Sequence, residues 1–190
     1  MDLYAAVDRR AQLALNVTAQ RFSAYLRSCS DEAPVGFENR LAAERLRLEQ
    51  TLSSKLFGRI YTCWWRWTTP ADFGERDMRI ALRFKGWRRA HRRAVFVGAP
   101  GFACDIFNAS DVVLQLCAAL DIGGLAIDYR AAQRRCRLSL RPNYGDYIWL
   151  LIPPVKYVRQ PNAAEVDSTA LLIHELSRLC RRGAAPPMPG

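Results

Sequence analysis

Residues 77–97 read DMRIALRFKGWRRAHRRAVFV, and this stretch carries the clearest structural pattern in the chain. In its first half apolar residues alternate with charged or small ones, which is the period of a strand with one buried and one solvated face. A crowded basic turn follows, and a second apolar run begins at Ala94. The stretch is therefore predicted to form a β-hairpin whose first strand and tip carry many guanidinium groups.

The composition predicts one globular domain. Half of the residues are hydrophobic and 24% are charged, which is typical of a globular protein and not of a disordered chain. A length of 190 residues is ample for one domain with a full core and short for two. We expect a single α+β domain over residues 1–182 and a disordered tail over residues 183–190.

The predicted elements fall into three segments. Residues 1–54 read as a helical hairpin, with helices over about 2–28 and 37–54, because apolar residues recur there with a helical period. Residues 56–121 and 124–182 each read as three strands followed by a helix. We therefore expect an N-terminal helical hairpin and a duplicated βββα unit. The duplicated unit would form a mainly antiparallel six-stranded sheet with helices on one face.

Two features of the predicted fold allow alternative interpretations. The mixed charges of the second helix fit a solvated face, but they also fit the seam of a homodimer. The aromatic strand over residues 56–69 contains three tryptophans, which either pack in the core or lie on a contact surface.

The net charge of +10 predicts attraction to polyanions, such as nucleic acid, anionic lipid or an acidic protein surface. Nearly all of the strong cations are arginine, a skew that a GC-rich genome also produces without selection for binding. Arginine is nevertheless the residue whose planar guanidinium pairs with phosphate through two hydrogen bonds and stacks on bases. The skew therefore fits a binding protein without proving one.

If helices cover one face of the sheet, the strand arginines line the other face. Cations for phosphates and rings for bases are what a sheet needs to hold nucleic acid, because stacking adds roughly 1 to 3 kcal/mol per base. The predicted nucleic-acid-binding residues are Arg79, Arg83, Lys85, Arg88, Arg89, Arg92, Arg93, Arg135, Arg137, Arg141, Trp65 and Trp67. The alternatives are a solvated face without a partner for the arginines and core packing for the rings.

No catalytic or cofactor motif is present in the sequence. It contains no phosphate-binding glycine loop, no HExxH and no GxSxG, and its only histidines are His91 and His174. The six cysteines lack metal-ligand spacing and are expected to be buried free thiols. We expect neither an enzyme nor a cofactor or metal. Without a visible secretory signal or a membrane-spanning run, we expect a soluble intracellular protein, cytoplasmic or nuclear.

These observations predict a non-enzymatic nucleic-acid-binding protein that uses its sheet face and the hairpin tip. RNA, or a duplex recognised by its shape, is favoured over a single DNA sequence. The alternative is an interaction protein, such as a dimeric chaperone or adaptor, that binds an acidic protein partner.

Overall fold

A ten-stranded antiparallel sheet organises the described part of the chain. The computed structural model describes residues 3–28, 35–39, 43–86, 93–98 and 102–183. The helices are α1 (Leu3–Gln20), α2 (Phe102–Asn108), α3 (Asp111–Ala119) and α4 (Ala163–Arg182). The strands are β1 (Leu26–Ser28), β2 (Val35–Asn39), β3 (Glu44–Lys55), β4 (Gly58–Pro70), β5 (Met78–Lys85), β6 (Arg93–Gly98), β7 (Ile122–Arg130), β8 (Arg135–Pro142), β9 (Tyr147–Leu150) and β10 (Val155–Val158).

Strand β4 connects the parts of the sheet. Eight strands follow the order β1-β2-β3-β4-β8-β7-β5-β6, and β9 pairs with both β4 and β10. One edge of β4 pairs with β3 along nearly its whole length. Its other edge pairs with β8 over residues 65–70 and with β9 over residues 58–61. Strand β4 is therefore the only described strand that joins three others.

The core lies on one face of this sheet. The register aligns Leu48 of β3 with Trp65 of β4 and Leu140 of β8, so these side chains point to the same side, and all three are buried. The Phe22 ring, just after α1, meets Trp65 edge-on at 4.7 Å between centroids. Helices α2 and α3 pack on β6, and α4 packs on β4. The described helices thus cover one face and leave the opposite face open.

The outer edge of β6 is closed by a side chain. Asn108, at the end of α2, accepts a hydrogen bond from the backbone nitrogen of Phe96 at 2.8 Å. Its amide nitrogen donates to the carbonyl oxygen of Phe96 at 2.9 Å. The asparagine amide therefore takes the place that a neighbouring strand would occupy at this position.

Several predicted elements are confirmed. The hairpin within residues 77–97 is present as β5 and β6, and the second predicted hairpin is present as β7 and β8. The predicted helix from about Asp111 is α3, which begins after Ser110, whose side chain accepts from the backbone nitrogen of Val113. The last predicted helix is α4, and Asn162 caps its start. Of the predicted tail over residues 183–190, only Gly183, at the end of α4, lies within the described residues.

The prediction of a second helix over residues 37–54 is wrong. The described part of that segment forms β2 and β3. Glutamate, arginine and leucine favour a helix by intrinsic propensity, but Leu46 and Leu48 alternate with exposed residues and are both buried. Pairing with the long aromatic strand β4 therefore outweighs the local preference. The first helix is also shorter than predicted and ends at Gln20.

The predicted strand count is wrong, and the duplication is not confirmed. The described sheet has ten strands, not six. Helix α2 and strand β10 lie in segments that were predicted to be loops. In a duplicated unit, equivalent strands would pair in the same way. In the first unit β5 pairs with β6, whereas the equivalent β8 and β9 both pair with β4. The α+β class and the mainly antiparallel sheet are confirmed.

A buried hydrogen bond attaches α4 to the sheet, and its loss should be measurable. The indole nitrogen of Trp67 donates to the hydroxyl of Ser177 at 3.0 Å, and both residues are buried. We expect Ser177→Ala to lower the free energy of unfolding by about 1–3 kcal/mol, because the buried indole N–H loses its acceptor. Urea unfolding measures the difference, and Ser168→Ala, half-buried in the same helix, is the control. Equal small losses in both variants would contradict the assignment.

A polar cluster attaches α1 to the sheet. The carboxylate of Asp8 accepts hydrogen bonds from the guanidinium of Arg59 and the hydroxyl of Tyr61. The Arg59 guanidinium also lies over the ring of Tyr4, 4.4 Å from its centroid. The hydrogen bond from Arg59, followed by that from Tyr61, holds the pKa of Asp8 below its ordinary value of 3.8.

The lowered pKa predicts how this cluster responds to acid. A carboxyl group with a depressed native pKa stabilises the fold above its ordinary pKa, and this contribution is lost as the pH falls through the lowered value. We expect Asp8→Asn to destabilise the protein at neutral pH by less than about 1 kcal/mol, because the carboxylate is half exposed. Urea unfolding should show the difference shrinking towards zero as the pH falls below 3.8, the ordinary pKa of the carboxyl group, and through the lowered value. A difference that is constant with pH would contradict the prediction.

Candidate anion-binding site

The sheet face opposite the core, here called the open face, is rich in arginine. Its residues alternate with the buried ones along each strand, and they are exposed or half-buried. The positively charged residues on it are Arg47, Arg66, Arg79, Arg83, Lys85, Arg93, Arg130, Arg135, Arg137 and Arg141. The described helices pack on the other face, so this layer of charge is not covered by them.

A depression of about 800 Å³ lies on the open face where β3, β4 and β8 run side by side. Two carboxylates, those of Glu44 and Asp128, also line it. We call it the arginine cleft, after the five arginines in its lining, Arg45, Arg47, Arg66, Arg135 and Arg137. Its lining is therefore strongly positive.

Two of the five arginines are paired with carboxylates. Arg66 lies 2.7 Å from a carboxylate oxygen of Glu49, and Arg135 forms an ion pair with Glu44. For Arg45, Arg47 and Arg137, no carboxylate of the described residues lies within 4.0 Å. Three guanidinium groups therefore remain available to an anionic ligand.

A β-bulge at Arg45 forms part of the cleft. The register of β3 against β4 shifts between Glu44 and Arg47, and Arg45 adopts a left-handed backbone with φ of 51°. Because of the bulge, the consecutive residues Glu44 and Arg45 both line the cleft, which strict alternation would not allow. A residue other than glycine in this conformation costs on the order of 1 kcal/mol or more. The chain thus tolerates local strain at the arginine cleft.

The predicted rings are not part of this face. Trp65 and Trp67 are 0% and 2% exposed, and they point into the core towards Phe22 and Ser177. In this structure both rings are packed in the core, on the side of β4 that the helices cover. The ring that does point to the open face is that of Trp64, which was not predicted as a site residue, and the guanidinium of Arg66 lies over it at 5.6 Å.

The predicted arginines divide into two groups. Arg79, Arg135 and Arg141 are near carboxylates, at 3.6 Å for Arg79 to Asp128 and 3.6 Å for Arg141 to Asp146. Arg83, Lys85, Arg93 and Arg137 have no carboxylate of the described residues within 4.0 Å. Arg88, Arg89 and Arg92, which the sequence places in the hairpin tip, lie outside the described residues.

A second basic cluster lies across the sheet from the cleft. Lys85 is directly opposite Arg93 in the β5–β6 register, and Arg83 lies two residues from Lys85 on the same face. Like charges directly opposite each other destabilise a strand pair. Strands β3 and β6 are five strand spacings apart, or about 24 Å. The open face therefore carries two positive regions at its sides, and an anion would relieve the repulsion in each.

Three arginines of the cleft were not predicted from the sequence. Arg45 and Arg47 fall in the segment that was predicted to be a helix, and Arg66 follows two tryptophans that draw attention to the core. The signal that could have found them is the period of two in residues 45–48, RLRL, which places arginine on one side of a strand and leucine on the other.

Other candidate chemistry is weaker. Among the described residues, no group of three metal-ligating side chains could hold a metal ion. The described cysteines are free thiols, and burial raises the pKa of Cys117 to about 12, so its thiol is unreactive at neutral pH. None of the helices in the described ranges is both long and apolar enough to cross a membrane.

The fold and the open face define the class: an α+β protein with helices on one side of an antiparallel sheet and an arginine-rich surface on the other. Residues 20–180 match the model of a family described as "Protein of unknown function (DUF3156)". Because this match covers more than four fifths of the chain, the protein belongs to that family. No curated protein and no solved structure matches the chain.

The strain at Arg45 yields a prediction that compares two neighbouring arginines. Glycine adopts a positive φ without steric cost, so Arg45→Gly should leave the free energy of unfolding unchanged or raise it by up to about 1 kcal/mol. Arg47→Gly, in ordinary strand backbone, should lower it by about 0.5–1 kcal/mol. Urea unfolding of both variants checks the difference. A larger loss for Arg45→Gly than for Arg47→Gly would show that the bulge is not strained.

Proposed function

We propose that this protein binds double-stranded nucleic acid through its open face, by contacts to the phosphate backbone. The observation that carries the proposal is the convergence of Arg45, Arg47 and Arg137 in one cleft without a carboxylate of the described residues within 4.0 Å. Guanidinium groups bind phosphate through paired hydrogen bonds, and release of counterions from the nucleic acid adds to the affinity.

The distribution of charge supports a long polyanion over a small ligand. The cleft on β3, β4 and β8 and the cluster on β5 and β6 lie on one face, and their outermost strands, β3 and β6, are about 24 Å apart. A small phosphate ester would engage one of the two regions only. A backbone with many phosphates would reach both, and the net charge of +10 would favour its approach.

The scarcity of aromatic rings beside the cleft supports a duplex over a single strand. Sheets that bind single strands use rings on which bases stack. Here Trp65 and Trp67 are buried, and Trp64 is half-buried under Arg66. Contacts to phosphates and sugars fix a protein on a duplex without reading its sequence. Recognition by shape is therefore the mode that fits this surface best.

The proposal predicts how binding depends on salt. We expect the variant Arg45→Ala, Arg47→Ala, Arg137→Ala to bind a short duplex RNA at least about tenfold more weakly at low salt. Each lost phosphate contact lowers the slope of log K against log salt by about 0.9 in DNA duplexes, so the slope should flatten by roughly 2 to 3. Fluorescence anisotropy over a series of salt concentrations measures both quantities. A duplex DNA of the same sequence shows whether the sugar is recognised.

The matched control removes the same charge from the other side of the protein. Arg9, Arg10 and Arg21 are exposed on and just after α1, so their replacement by alanine lowers the net charge equally but spares the open face. Equal loss in both triple variants, or no binding of either duplex at low salt, would refute the proposal. Displacement of the duplex by poly-glutamate at similar charge concentration would favour the rival partner, an acidic protein surface.

A further inference from the structure

Two neighbouring turns at the end of the sheet expose large apolar side chains. The β3–β4 turn carries Leu56 and Phe57, which are 84% and 47% exposed. The β9–β10 turn carries Leu151 and Ile152, which are 46% and 68% exposed. We call these four residues the apolar tips. The backbone nitrogen of Leu151 donates to the carbonyl oxygen of Phe57 at 2.8 Å, so the two turns lie side by side.

The two turns are held together tightly. Strand β9 pairs with the start of β4 directly behind the tips. A Cβ atom at Gly58 would lie 2.3 Å from the carbonyl oxygen of Trp149, so only glycine allows the strands to approach this closely. The apolar tips therefore form one projecting surface on a fixed support, not two independent loops.

The two chain segments that carry the tips contain only positive charges. Residues 50–62 and 147–160 contain no aspartate or glutamate. Arg59 and Arg159 are paired with Asp8 and Glu165 of the helical layer. Lys55 is exposed next to Leu56, and Lys156 is exposed one residue after Val155, and neither has a carboxylate of the described residues within 4.0 Å.

We propose that the apolar tips insert into the surface of an anionic lipid bilayer, with Lys55 and Lys156 against the headgroups. Apolar side chains at the apex with cations behind them are the pattern of a segment that lies in the bilayer interface and prefers anionic lipid. Tyr157, exposed on β10, adds a ring of the kind enriched at this depth.

The geometry favours a bilayer over a protein partner. The tips project, so a rigid protein would cover little of their area, whereas lipid surrounds a projecting group on all sides. A second copy of the chain would bring lysines of like charge together across the contact, which costs free energy. An anionic bilayer can surround the projecting apolar side chains, and its negative charge attracts the lysines beside them.

This inference is independent of the proposed function. Arg47, in the arginine cleft, and Lys55, at the tips, are eight residues apart along β3, or about 27 Å. Loss of nucleic-acid binding and loss of lipid binding can therefore be separated by variants at the two ends of one strand.

The test is co-sedimentation of the full chain with vesicles at physiological salt. One set contains phosphatidylcholine alone, and the other contains phosphatidylcholine mixed with phosphatidylglycerol. We expect binding to the anionic vesicles and at least about tenfold weaker binding for the variant Leu56→Ser, Phe57→Ser, Leu151→Ser, Ile152→Ser. The control is Leu13→Ser, Val17→Ser, which removes exposed apolar side chains from α1 and should leave binding unchanged. Circular dichroism checks that both variants fold.

Three results would overturn the proposal. The first is no binding of the wild-type chain to anionic vesicles. The second is equal binding of the folded tip variant, or a loss as large in Arg45→Ala, Arg47→Ala, Arg137→Ala, because the attraction would then come from general charge. The third is a change of molar mass in solution caused by the tip substitutions without lipid, because a second copy of the chain would then cover this surface.

Discussion

The alternation of side chains along β4 is the constraint on which the rest of the structure depends. Every second residue from Tyr61 to Thr69, including Trp65 and Trp67, is buried on the side of the helical layer, and the residues between them face the other way. Because β4 pairs along both edges, its register fixes the orientation of β3, β8 and β9. A shift of one residue would exchange the two faces of the strand. The aromatic core therefore also determines which arginines are outside.

The charge of the open face follows from this one-sided core. Burying an unpaired guanidinium is costly, so the arginines of these strands lie on the side without helices, except Arg59, which is paired with Asp8 of α1. Neighbouring strands then place them in adjacent rows, and carboxylates compensate some of them, as Glu49 does for Arg66. The bulge at Arg45 places the consecutive residues Glu44 and Arg45 both in the lining of the cleft. The cleft differs from an ordinary charged surface because only two of its five arginines are paired with carboxylates of the described residues.

The sequence predicts those elements in which local pattern and tertiary pairing agree. Strands β5 and β8 alternate clearly between apolar and charged residues, and α4 has a long apolar stripe and a capping asparagine. The prediction fails for β3, where helix-favouring residues are held in a strand by β4. It also fails for the short elements α2 and β10, which are only seven and four residues long. The arginine cleft depends on register between strands that are distant in sequence, and no local pattern records that register.

The side chain of Asn108 protects part of the edge of β6 from pairing with strands of other proteins. An outermost strand with free amide and carbonyl groups is a template on which foreign strands can add, and such growth leads to aggregation. Asn108 forms hydrogen bonds with both the backbone nitrogen and the carbonyl oxygen of Phe96, so these two groups cannot pair with a foreign strand. Strand addition is thus blocked at this point of the β6 edge.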